Sequence, residues 1–193
     1  MKKITYILAI LFGTFSLSNA EVGQMRVGVE LGWTPMELEA EETAQVIANA
    51  SGSTVNVEYD TGAFVGRIFG EYGFSSGLGV EVGFFQTSGA GATYKIGADS
   101  ASESYDASGF DMSAVIRSDE GFFGKVGMHS STVDGNAKIT IGGTSYSATG
   151  SKDGTGLLFG GGLEIDNIRY SVTHYSDIGG IEDFNFFSAA YIF

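Results

Sequence analysis

The sequence predicts an all-β chain: an eight-stranded antiparallel up-and-down transmembrane β-barrel. Three observations predict it. Apolar residues alternate with small or polar ones at period 2 through eight segments. The connections between those segments are alternately short and long. Beyond the first twenty residues no apolar run is long enough for a spanning helix.

The chain opens on a separate segment. Lys2 and Lys3 precede an apolar run from Ile4 to Phe15, and Ser18-Asn19-Ala20 follows. A positive start, a short apolar stretch and a small-x-small site describe a secretory signal peptide. Cleavage is expected between Ala20 and Glu21, leaving residues 21–193 as one barrel domain. Removal takes away two lysines and no acid, so 8 basic residues face 23 acidic ones and the formal charge is −15. Such a chain will not hold nucleic acid by bulk charge. There is no cysteine, which excludes a disulfide framework and a lipid-modified cysteine. Thirty glycines, 15 phenylalanines, 9 tyrosines and a single proline suit strands, since proline removes ladder donors.

The eight segments follow in order. Met25, Val27, Val29, Leu31 and Trp33 form one face, with Arg26, Gly28, Glu30 and Gly32 opposite. Phe64–Phe74 and Leu78–Phe85 repeat the pattern, setting Arg67, Glu71 and Glu81 on the second face. Phe110–Arg117 carries Asp111 and Arg117, and Phe122–His129 carries Lys125. Leu157–Ile165 carries Glu164, Ile168–Thr173 carries Arg169, and Phe186–Phe193 closes the set. The non-apolar face is mostly Gly, Ser and Ala with isolated charges, which suits a narrow interior rather than a face turned to water. Lipid needs no second layer on the apolar side, and closure satisfies every backbone group. Trp33, Tyr72, Phe74, Tyr191 and Phe193 fall near strand ends, where aromatic girdles belong.

Three connections are short, at 75–77, 118–121 and 166–167; four are longer, at about 34–60, 88–108, 134–154 and 177–183. An even strand number then puts both termini on the short-turn side, the periplasm. Within 134–154, Ala137–Ile141, Gly142-Gly143 and Thr144–Ala148 read as a hairpin that continues the strands past the bilayer. Thr54–Tyr59 is expected to add a similar arm.

Three constellations are candidates for function. The first is the interior set: Arg26, Arg67, Arg117, Lys125 and Arg169 against Glu30, Glu71, Glu81, Asp111 and Glu164. Eight strands leave an interior just wide enough for side chains, so the balanced charges plug the lumen in preference to lining a narrow channel. A two-residue turn at Asp166-Asn167 sets Glu164 opposite Arg169. Phe69, Phe85, Phe123 and Phe186 also point inward, and His129 is an interior residue. The second is the long loops, with 14 acids against Lys95, Lys138 and Lys152. They read as solvated, self-repelling segments. Clustered carboxylates are hard oxygen ligands, but the spacing matches no calcium loop, and neither metal nor cofactor is expected.

The third is His174-Tyr175-Ser176 with Glu182 beyond. It resembles the outer-membrane lipid A deacylase family, whose penultimate strand carries His-x-Ser followed by a glutamate. The resemblance would imply a hydrolase using His174, Ser176 and Glu182. It covers a dozen residues. Asp177 stands where that family has Asn, and the acid follows sooner. His174 also lies on the face of Tyr170 and Val172, so an interfacial role is preferred.

The last segment, Phe187-Ser188-Ala189-Ala190-Tyr191-Ile192-Phe193, ends on Phe with Tyr two residues before it. It looks like the signal by which the barrel-assembly machinery recognises its clients. With the leader and eight segments, the mature chain resembles the small OmpA/OmpX-type, porin-like outer-membrane barrels. That resemblance implies a non-enzymatic envelope protein in contact with lipid and lipopolysaccharide, with roles in surface interaction, adhesion or envelope integrity. Its loops would meet any extracellular or host ligand. No periplasmic peptidoglycan-binding domain is expected beyond the last strand.

Overall fold

The computed structural model describes residues 23–35, 39–75, 77–180 and 182–193. The signal segment, its cleavage site at Ala20 and Glu21, and Glu37, one of the acids of the long connections, lie outside the described residues. Ten strands and one helix are present among those described: β1 (Met25–Pro35), α1 (Ala40–Ser51), β2 (Asn56–Tyr59), β3 (Gly62–Ser75), β4 (Leu78–Thr87), β5 (Ala90–Ile96), β6 (Asp99–Arg117), β7 (Phe122–Ile141), β8 (Thr144–Ile165), β9 (Ile168–Ile178) and β10 (Glu182–Ile192).

Eight of the strands close into a ring, β1-β3-β4-β6-β7-β8-β9-β10 and back to β1, every pair antiparallel. Closure leaves no edge at membrane depth, the condition for crossing a bilayer with strands. Alternation decides which side chains face out. Leu31, Phe64, Ile68, Val82, Phe110, Met112, Val126, Leu157, Phe159 and Val172 are all exposed on the outer wall. Their intervening neighbours are buried within. An uninterrupted apolar exterior around a closed ring is a lipid-facing surface.

The three short turns and the two described chain ends share one end of the barrel. There Ile192 N–H bonds to Asn167 C=O at 2.8 Å and Phe193 N–H to Val27 C=O at 2.8 Å. Asp166 takes the left-handed conformation (φ 53°), so Ile165 and Ile168 face each other across a two-residue turn, with Glu164 opposite Arg169.

At the other end the strands do not stop. A bilayer crossing needs about 9–11 tilted residues, whereas β6, β7 and β8 have 19, 20 and 22. Their outer halves leave the barrel as one sheet, and β5 and β2 extend it in the order β2-β5-β6-β7-β8. The tip of β7–β8 turns through Gly142 (φ 56°) and Gly143 (φ 82°), the positive-φ pair of a tight hairpin.

Two expectations change here. The segment 88–108 is not a loop: its hairpin, β5–β6, is the middle of this platform. The connection at 177–183 is not long either. β9 and β10 run on to Ile178 and from Glu182, and Asp177 (φ 53°), Gly179 and Gly180 make the turn. The connection at 34–60 carries a helix as well as the expected strand. α1 buries Ala40 and Ala44 against Ala92 and Tyr94, with Ile47, Val55, Val57 and Ala101 around them. It ends at Gly52 in the left-handed conformation, whose N–H caps the carbonyl of Ala48.

Candidate functional site: a filled lumen beneath an acidic platform

Inside the barrel the side chains form two layers. The layer nearer the short turns holds all ten charges named from the alternation. Arg169 donates to Glu81 at 2.5 Å, to Glu71 at 2.8 Å and to Glu164 at 3.0 Å. Arg67 donates to Glu30 at 2.9 Å, Glu81 at 2.7 Å and Asp111 at 2.6 Å. Arg26 reaches Glu71 at 3.2 Å and Glu164 at 2.5 Å, and Arg117 bonds Glu71 and lies 3.4 Å from Glu164. Lys125 lies 3.6 Å from Glu81. Glu30 also accepts from Ser171 at 3.1 Å and from Ser188. The alternation places these groups inside, but the partners come from across the ring: Arg67 on β3 meets Asp111 on β6.

Two aromatic rings are threaded through the charges. The guanidinium groups of Arg67 and Arg169 both lie over Phe69, 4.9 and 5.0 Å from its centroid, and Phe123 takes the other contact of Arg169 at 4.8 Å. Glycine makes this possible. A Cβ at Gly28 would sit 2.2 Å from the Phe69 ring, and one at Gly83 would sit 2.5 Å from the Arg67 guanidinium. Phe69 and Arg67 come against the wall where the facing residue has no side chain.

The outer layer is apolar. Phe85, Tyr175, Phe184 and Phe186 pack with Val65, Leu158, Ala107, Val133 and Ile178, all buried. Centroids of Phe85, Tyr175 and Phe186 lie 4.7–5.7 Å apart, within the range of favourable ring pairs. Tyr175 joins the two layers, donating its hydroxyl to Asp111 at 3.0 Å. His129 is interior and its Nε2 lies 2.6 Å from the Ser176 carbonyl. Alternation through His174 puts Tyr175 on the inner face with Arg169, Ser171 and Thr173, though nothing in it singles that side chain out; Phe184 lay outside the expected last strand.

His174, Ser176 and Glu182 are not assembled. His174 is on the outer wall beside Phe159, its Nδ1 3.0 Å from Asn185 Oδ1 and its Nε2 3.6 Å from Asp183. Ser176 Oγ accepts from the Leu157 N–H at 2.9 Å and donates to the Leu157 carbonyl at 3.2 Å. Among the described residues no hydrogen bond joins Ser176 to His174, or His174 to Glu182. Tyr191 is half-exposed on the outer wall and meets Phe193 edge-on at 4.9 Å.

On the platform, Glu103 accepts hydroxyls from Tyr94 and Tyr105, each at 2.9 Å. Burial first and then Glu103 push the Tyr94 hydroxyl up; the Glu103 bond is the larger cause at Tyr105. Both phenols are therefore fixed donors. Among the described residues no cluster of three or more His, Asp or Glu is placed to hold a metal ion.

No family model matches the sequence, and no curated protein matches it. Solved structures do resemble it. The attachment invasion locus protein Ail of Yersinia pestis is 16% identical over 89% of this chain and 99% of its own, with a TM-score of 0.48. The outer membrane protein OprG from Pseudomonas aeruginosa is 9% identical over 92% and 99%, TM-score 0.46. The N-terminal β-barrel domain of OprF from Pseudomonas aeruginosa is 12% identical over 89% and 99%, TM-score 0.39. At such identities the likeness is one of fold alone. Its own closed ring of eight antiparallel strands and apolar outer wall give the chain the architecture of an eight-stranded transmembrane β-barrel.

Proposed function

We propose that this chain is a non-enzymatic integral outer-membrane protein that holds a sealed barrel in the membrane and presents its platform outside the cell for surface contact. One observation carries the reading: strands that cross as a filled barrel continue unbroken into a five-stranded sheet at the end opposite the short turns. In this reading both termini are periplasmic, residues 1–20 are removed on export, and Tyr191 and Phe193 are read by the barrel-assembly machinery. Lipids and lipopolysaccharide surround the apolar wall, and the platform meets extracellular or host partners.

The ten lumen charges are structural here. They pair with one another, while the aromatic layer takes up the cross-section a channel would need. Adhesion or envelope integrity follows from exposure of the platform, with no reaction required.

The test has two arms. The purified barrel in planar bilayers is expected to give no steady unitary conductance; a steady, large conductance would overturn the sealed lumen. The chain has no cysteine, so Thr144→Cys at the platform tip gives a unique label site. A membrane-impermeant maleimide is expected to label it on intact cells, and labelling only after lysis would reverse the orientation.

A further inference from the structure

Between the charged and the aromatic layer, one stretch of the lumen wall is bare. Gly127 faces inward on β7 and Gly160 on β8. They are diagonal neighbours, since Gly127 stands opposite Leu158 and Gly160 opposite Lys125. Four side chains ring this patch. Ser113 on β6 is opposite Gly127, Thr173 on β9 is opposite Gly160, and Lys125 and His129 flank Gly127 along β7. Alternate residues of a strand share a face, and all four are buried, at most 5% exposed. The Tyr175 side chain spans the same stretch. It runs from β9 to Asp111 on β6, with its ring 5.4 Å from that of His129.

Three of the four carry a polar atom that no protein group meets. Among the described residues, Ser113 Oγ, Thr173 Oγ1 and His129 Nδ1 are buried without a hydrogen-bond partner. Lys125 differs, since its ammonium reaches across to Glu81. The imidazole is fixed on one side. Its Nε2 lies 2.6 Å from the Ser176 carbonyl. A carbonyl only accepts, so Nε2 carries a hydrogen and Nδ1 is the unmet atom. Buried polar groups are rarely left unmet, because water lost from them must be replaced. Three around one bare patch point to a ligand that meets them.

Chemistry selects the ligand. The two hydroxyls each donate and accept, so the occupant must do both and be small. Lys125 beside the patch and Asp111 opposite His129 disfavour a lone ion of either sign. Water fits, as it takes about three hydrogen bonds from such groups when a polar space admits it. Glycine supplies the space. A Cβ at Gly160 would sit 2.9 Å from Thr173 Oγ1 and cover the hydroxyl. Ser113 and Thr173 stand three strand spacings apart, roughly 14 Å along the wall at about 4.8 Å each, so one water cannot touch both. We propose that Gly127 and Gly160 hold a short chain of resident waters linking Ser113, His129 and Thr173 beneath Tyr175. The lumen is then hydrated without being open. The proposal rests on the sealed-lumen reading above and names what the seal encloses.

The chain has two histidines, so His174→Gln leaves the His129 ring alone to observe. The full barrel is prepared in lipid with isotope-labelled histidine, and magnetisation transfer from water to that ring is measured by solid-state NMR. Transfer is expected. Ser113→Ala with Thr173→Val is expected to lower it about twofold or more, with heat-modifiable mobility showing that the variant is folded. No transfer, or unchanged transfer in the double variant, would overturn the proposal. The urea midpoint gives a second readout, by its sign. A hydroxyl bonded to water supports the barrel, so Thr173→Val is expected to lower the midpoint. A dry, unmet hydroxyl burdens it, and its removal would raise the midpoint. A raised or unchanged midpoint would therefore also overturn the proposal. Conductance in planar bilayers reads the seal separately: transfer lost without conductance falls on the water chain alone, and a conducting barrel falls on the seal.

Discussion

Replacing Glu81 by Gln should be among the most damaging isosteric changes in the barrel. Glu81 has no exposed surface. It accepts from Arg67 at 2.7 Å and Arg169 at 2.5 Å, with Lys125 at 3.6 Å. Glutamine keeps the volume and removes the charge, leaving five cations against four carboxylates in the lumen. Removing one partner from a buried ionic group typically costs about 3–5 kcal/mol. The same change at Glu164 is milder, roughly 1.5–3 kcal/mol, because its side chain is 10% exposed at the mouth. Lys125 supplies the internal control. Among the described residues its ion pair is with Glu81 alone, so Lys125→Gln in the Glu81→Gln background restores the balance of charge. The double variant is expected to lose about 1–3 kcal/mol less than the sum of the single losses. The assay is urea unfolding from phospholipid vesicles, followed by the fluorescence of Trp33, the only tryptophan, and by heat-modifiable gel mobility. Losses that add to within about 0.5 kcal/mol, or a Glu81→Gln loss below that of Glu164→Gln, would mean water reaches the cluster and the reasoning is wrong.

Gly28→Ala should cost about 1–3 kcal/mol by pushing Phe69 off the wall and away from its two guanidinium contacts. Gly66→Ala, with nothing within 4 Å of its Cβ, should be within about 0.5 kcal/mol of neutral, and urea titration of both decides. Deleting Phe193 should lower the amount of folded barrel in outer membranes; unchanged heat-modifiable protein would refute its part in assembly. N-terminal sequencing of the envelope form should begin at Glu21, whereas a retained Met1 would make the first segment an anchor. Expression should leave lipid A acylation unchanged by mass spectrometry, and loss of an acyl chain that depends on His174 and Ser176 would establish a hydrolase.

The barrel was legible because lipid on one side and a crowded lumen on the other impose a two-residue rhythm. Met25–Trp33 and Leu78–Phe85 show it in every residue. Neighbours across a hairpin were legible too, since the Asp166-Asn167 turn alone sets Glu164 against Arg169. The meeting of Arg67 with Asp111 and Glu30 was not. It depends on how the ring closes, which no local pattern records. Most of the platform was hidden for a different reason. Both faces of Ser100–Ser104 meet water or a thin apolar layer, so serine and glutamate mix with alanine and the rhythm fades. The helix left a trace in Ala40, Ala44 and Ile47 at helical spacing with Gly52 after the last turn, but the glutamates around it read as loop. Ile139, Ile141 and Tyr146 were visible as a hairpin; that Ile139 and Tyr146 continue the row Val57, Tyr94 and Ala101 begin beside α1 required the register of five strands.

The unbroken length of β7 and β8 has a mechanical consequence. The two run side by side from Phe122 opposite Leu163 to Ile141 opposite Thr144, and a load applied at the tip is carried down one ladder into the wall of the barrel. Both strands leave the tip together, so a pull there shears the β6–β7 and β8–β9 ladders that flank them, whose backbone bonds resist together and do not open one after another. The wall it enters is clamped from inside by five cations and five carboxylates. In the proposed orientation, a contact made at the tip would be held by a stiff mast set in a solid footing, suited to withstand drag where a tethered loop would only stretch.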